Sequence, residues 1–152
     1  MITSDKQYQA SKDQLVLLRE SFNAPVNEKI PEVVRAVGQV QLQDLIDEVQ
    51  QDIEEYEKLK NSDVEEIPVH SIQDLLVAPI RYRIASHMSV DAFSRKVGIS
   101  ARQIHRYEAA FYKNSNTSTL TKILEKLDLK IEGHWNSKDR DQTGIPQHGL
   151  DG

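Results

Sequence analysis

Arg102, Gln103 and Arg106 fall within five consecutive residues, and their side chains share one kind of chemistry. An arginine fork can donate two hydrogen bonds to guanine O6 and N7, and a glutamine amide can pair with adenine N6 and N7. At about 100° per residue the three lie within roughly 100° of one another on a helix, opposite Ile104. The same pattern also fits a solvated basic face. Other chemistry is poorly supplied. The 152 residues include no cysteine, which removes a thiol nucleophile, a disulfide scaffold and Cys-ligated zinc. His70, His87, His105, His134 and His148 do not pair at helical ligand spacing, and there is no His-Glu-x-x-His run. No metal is therefore expected. No Gly-rich phosphate loop occurs, nothing sets Ser, His and Asp as a triad, and the many carboxylates lie along a solvated face. No catalytic residue and no cofactor are expected.

The elements that must present Arg102 and Arg106 can be read from their neighbours. Ser89 is a good N-cap for a short helix from Val90 to Val97, and Gly98 follows at once, as helix C-termini prefer. Ser100 is a second N-cap, for a helix from Ala101 to Ala110. Two short helices joined by a tight turn at one glycine form a helix-turn-helix. Phe93, Val97, Ile99 and Ile104 are the apolar residues expected to lock them together, and the small Ala92 and Ser94 allow close approach. An earlier helix with Ile72, Leu75, Leu76, Ile80 and Ile84 on its apolar face, open to a kink at Pro79, is expected to end near His87 and Met88.

The rest of the chain divides by charge. Residues 1–70 carry net −8, residues 71–130 net +5 and residues 131–152 net −2. Only the middle suits a polyanion. A first helix is expected from about Asp5 to Phe22, capped by Ser4 or Thr3. Asn23 to Asn27, with Pro25, reads as a break. A second helix with Pro31 in its first turn is expected to reach Leu59. Leu42, Leu45, Val49, Tyr56 and Leu59 recur at spacings of three and four, with Asp52 interrupting one slot and Ile46 and Ile53 flanking this seam. The seam either packs the second helix on the first or receives a second copy or a partner. The expected organisation is an acidic helical hairpin over 1–60, a linker over 61–71, a helix-turn-helix unit over 72–130 and a mostly disordered tail over 131–152. In that tail Trp135 is expected to pack on the domain, with a short strand near Leu129–Trp135 as the alternative. No apolar run approaches the roughly 18 residues of a membrane span. The first residues lack the basic and apolar regions of a secretory signal. A cytoplasmic, mostly helical protein is expected.

Residues of about 72–130 resemble the Xre-like, or lambda-repressor-like, helix-turn-helix family. The likeness rests on the hydroxyl cap, on Gly98-Ile99-Ser100 and on Ile104-His105-Arg106-Tyr107-Glu108. It continues through Ala109-Ala110-Phe111-Tyr112 and the Leu120, Ile123, Leu124 and Leu127 pattern. The resemblance implies an all-α fold, double-stranded DNA as partner, and Ser100, Ala101, Arg102, Gln103, His105 and Arg106 as the DNA-binding residues. Ser100 would touch phosphate, Ala101, Arg102 and Arg106 would read base edges, and Tyr107 would pack. Val90 departs from the family, which often has a phosphate-contacting glutamine there; valine is expected to pack instead. The acidic helical lead-in with Glu54-Glu55-Tyr56-Glu57 is also similar to HigA-type antitoxins, which bind a small toxin and repress their own operon. Three readings stay open. One is a repressor reading a palindromic operator as a homodimer, the second such an antitoxin with a small toxin partner, and the third a protein-interaction scaffold that binds no DNA.

Overall fold

A computed structural model describes residues 1–61 and 66–138. Six helices follow one another: α1 (Asp5–Phe22), α2 (Glu32–Asn61), α3 (Ile72–Ala85), α4 (Val90–Val97), α5 (Ala101–Ala109) and α6 (Thr117–Lys126). No strand occurs among the described residues. The fold is the expected all-α one, a hairpin followed by a helix-turn-helix bundle. None of the described helices is long and apolar enough to cross a membrane.

Local chemistry sets most helix ends. Ser4 Oγ accepts from the Gln7 N–H at 3.2 Å, Ser71 Oγ from Asp74 at 3.0 Å, and Asn116 Oδ1 from Thr119 at 2.7 Å. Each bond satisfies one of the donors that a helix start leaves without an intrahelical partner. The Pro31 carbonyl accepts from the Arg35 N–H at 3.1 Å, so proline stands at the threshold of α2, where its missing N–H costs nothing.

The structure corrects the reading of α2 as one apolar seam with flanks. Two stripes run along it side by side. Ile46, Val49, Ile53 and Tyr56 recur at alternating spacings of three and four and face α1; Ile46, Ile53 and Tyr56 are buried and Val49 packs beside them. Ile46 and Ile53 are therefore its centre. Leu45 and Leu59 belong to the neighbouring stripe, and the two fare differently: Leu59 is buried, whereas Leu45 is 38% exposed.

That second stripe explains how the hairpin meets the bundle. The C-terminal half of α2 packs on α3, and Tyr56, Leu59, Ile80 and Ile84 join one buried cluster with Phe93, Val97, Ile104 and Ile123. Arg81 Nε donates to Glu55 at 3.0 Å across the junction. Tyr56 Oη donates to Asp5 at 2.7 Å. The compositional boundary near residues 61–71 is thus bridged by a shared core. Part of that segment, 62–65, lies outside the described residues, as does the tail from 139 onward. Trp135 contradicts the expected packing: it is 80% exposed. The short strand held as its alternative does not form. Residues 129–136 run without regular structure, so no helix or strand carries the indole back onto the domain.

Candidate nucleic-acid interface

The α4–turn–α5 unit is built by three local devices. Ser89 Oγ accepts from the Ala92 N–H at 3.1 Å. Gly98 takes a left-handed φ of 71°, a conformation that strains residues bearing a Cβ. Its N–H and that of Ile99 both donate to Ser94 O, at 2.9 and 3.1 Å. Ser100 Oγ then accepts from the Gln103 N–H at 3.3 Å. This bond uses a lone pair, so the Ser100 hydroxyl hydrogen stays available to a phosphate oxygen. From the far side, Lys122 Nζ on α6 donates to Gly98 O at 3.4 Å.

These devices aim α5. Ile104 is wholly buried and Tyr107 buried, and the Tyr107 ring stacks on Tyr112 with centroids 5.5 Å apart. The opposite face is open. Ser100, Arg102, His105 and Arg106 are exposed, and Ala101 and Gln103 are half-buried. All six expected residues therefore lie at the cap or along α5. Arg106 Nη1 donates to Gln103 Oε1 at 3.2 Å, so Gln103 here steadies Arg106, and reading adenine would require that bond to open. Asn114 Nδ2 donates to Arg106 O at 3.3 Å, tying the next loop to the helix end. Val90 is half-buried against the core, where packing was expected of it. Exposed Arg95, Lys96, Lys113 and Lys122 add cations to the same bundle. None of them, nor Arg102 or Arg106, forms an ion pair among the described residues. No cluster of potential metal ligands occurs among those residues.

Beneath α5 lies a buried ion pair that sequence reasoning did not single out. Arg83 Nη2 and Nε donate to Glu108 Oε1 at 2.6 and 2.9 Å. The same guanidinium donates to Met88 O at 3.1 Å and to Thr3 O at 2.8 Å. One side chain thus ties together α3, the end of α5, the segment before α4 and the start of the hairpin. A signal was available. Arg83 stands next to Ile84 and three residues after Ile80 in an apolar helix, and a cation so placed needs an acidic partner when buried.

Residues 80–133 match the model of the protein family described as Helix-turn-helix, a span from the middle of α3 to just beyond α6. No curated protein and no solved structure matches the chain.

Proposed function

We propose, on the premise that residues 80–133 are a domain of the Xre-like, or lambda-repressor-like, helix-turn-helix family, that this chain is a sequence-specific DNA-binding transcription regulator. In this reading it represses from a palindromic operator, bound as a homodimer. The observation that carries the reading is the pair Arg102 and Arg106, exposed on α5 opposite buried Ile104 and without an ion-pair partner among the described residues. A helix held in this way can lay its N-terminal turns into a major groove, with Ser100 at the phosphates. Arg102 and Arg106 supply bidentate contacts to base edges, and the surrounding cations bind the backbone by displacing counterions. One such unit reads few base pairs, so a two-fold pair on a palindrome supplies the specificity.

The first prediction tests this reading. Arg102→Ala and Arg106→Ala should each weaken specific binding by about 1–3 kcal/mol, while thermal melting stays near that of the parent chain. Gel shifts against an operator selected from random duplexes measure it. Wild-type affinity in both variants would remove α5 from the interface.

A second reading, a HigA-type antitoxin, draws support from the acidic exposed face of α2, where Asp47, Glu48 and Glu54 have no cationic partner among the described residues. Such a face suits a small basic toxin. Co-purification of a small basic protein from the native host would favour it. The protein-interaction scaffold, by contrast, requires Arg102 and Arg106 to be dispensable.

A further inference from the structure

We infer that the open groove at the distal end of the hairpin, between the α1–α2 loop and the first half of α2, is the seat of a second copy of this chain. The inference rests on the dimeric reading above for its purpose, and on four separate observations for its argument.

The first is where apolar surface is left uncovered. Val26, Ile30, Val34 and Leu45 are exposed and line the groove together, with exposed Val33, Val37 and Val40 beside it on α2, and beyond residue 45 the exposed large apolar residues of the described chain are Ile72, Ile131 and Trp135 alone. A contiguous patch of this kind marks an interaction surface, whereas scattered single residues do not.

The second is a mismatch of length. Helix α2 has 30 residues and α3 has 14, or about 45 Å against about 21 Å. The stripe of α2 that buries Leu59 beside α3 passes through the acidic Glu55, Asp52 and Glu48 and is free of charge again at Leu45, Gln41, Gly38 and Val34, at spacings of three and four. Those four residues line the groove, where α3 no longer reaches. A face covered at one end has no cover at the other.

The third is Gly38. A glycine inside a helix costs stability relative to alanine, and no neighbour among the described residues calls for one here. A Cβ built at Gly38 would meet no atom within 4 Å. A helix from another chain, approaching closely at this point, supplies the missing reason.

The fourth is charge, and it selects the occupant. The only charged residues lining the groove are Glu32 and Arg35, one of each sign, with no ion-pair partner among the described residues. Arg35 Nε also has no hydrogen-bond acceptor there. From Asp44 to Glu57, α2 carries seven acidic and no basic residues, so a basic partner would seat on that lower half. A neutral groove with one acid and one base suits an isologous pair, in which Glu32 of each copy meets Arg35 of the other.

Sedimentation of the full chain, with circular dichroism on the same samples, tests the proposal. The parent chain should be dimeric. Gly38→Leu and Leu45→Asp should raise its dimer dissociation constant about tenfold or more, with helix content retained. Arg35→Glu should weaken the dimer, and adding Glu32→Arg should restore it. Val49→Asp, on the stripe facing α1, should instead lose helix content. A parent chain monomeric at all concentrations overturns the proposal. So do Gly38→Leu and Leu45→Asp chains that dimerise like the parent, or that lose helix content, since the groove would then be filled from within. Gel shifts on a single half-site keep the two proposals apart. A monomeric chain that binds the half-site sinks only the dimer groove, and a groove-dependent dimer that binds no DNA sinks only the DNA reading.

Discussion

The two ends of α2 live in different surroundings. At its C-terminal end Tyr56 and Leu59 enter the core that Ile80, Phe93, Val97 and Ile104 form at 0–1% exposure. At its N-terminal end Val33, Val34 and Val37 stand 76%, 57% and 53% exposed. The bundle can bury its apolar residues alone because four short helices cross and each covers its neighbours. A two-helix hairpin cannot, since each helix offers one face to the other and leaves the remainder to water. Interior packing thus accounts for the lower end, and the upper end carries surface that folding alone does not use.

The largest expected effect lies at the clasp joining these regions. Arg83→Ala removes a buried cation and strands Glu108, which should cost about 3–5 kcal/mol. Urea unfolding would measure it, and protection of the Thr3–Tyr8 amides from exchange should fall with it, because Thr3 O loses its donor. A small loss with hairpin protection unchanged would separate hairpin and bundle into independent units. Next comes a matched pair of truncations. Ile80→Ala, at a wholly buried position, should cost about 2–5 kcal/mol. Leu45→Ala in dilute solution should change stability by less than about 0.5 kcal/mol. Similar costs at both sites would erase the contrast between the two regions.

A smaller effect of opposite sign is expected at Tyr112. Its hydroxyl is buried with no hydrogen-bond partner among the described residues, and burial pushes its pKa up. Tyr112→Phe should stabilise the bundle by about 1 kcal/mol, read as a higher melting temperature. The smallest effect concerns Asp5. The Tyr56 hydroxyl bond first, then Lys60, holds its carboxyl below the ordinary value of 3.8. A depressed pKa stabilises the fold above the unfolded value, and that stability fades as pH falls below 3.8 toward the folded value. The stability difference between the parent and Asp5→Asn should therefore shrink as pH drops from 5 toward 2. A constant difference would show that this carboxylate does not sense the junction.

Much of the candidate interface could be read directly because its determinants are local. Ser89, Gly98 and Ser100 act on residues three or four positions away, so the bounds of α4 were predictable to the residue and those of α5 to within one. The helical period likewise placed Arg102 and Arg106 opposite Ile104. Apolar spacing on α2 was ambiguous for a physical reason. Adjacent stripes differ by one residue, and Leu45 and Ile46 both fit a spacing of three or four. Trp135 misled because an isolated aromatic near a chain end says nothing about whether a surface awaits it.

The sequence by itself determined the helices, their caps, the tight glycine turn and the cationic face of α5, since each depends on contacts within a turn or two of helix. Tertiary structure alone decided what joins them. Arg83 meets Glu108 across 25 residues and Thr3 across 80, and α3 covers the lower half of α2 while leaving the groove at Gly38 open. Such pairings depend on where whole helices stop and cross, which residue spacing does not encode and packing in three dimensions does.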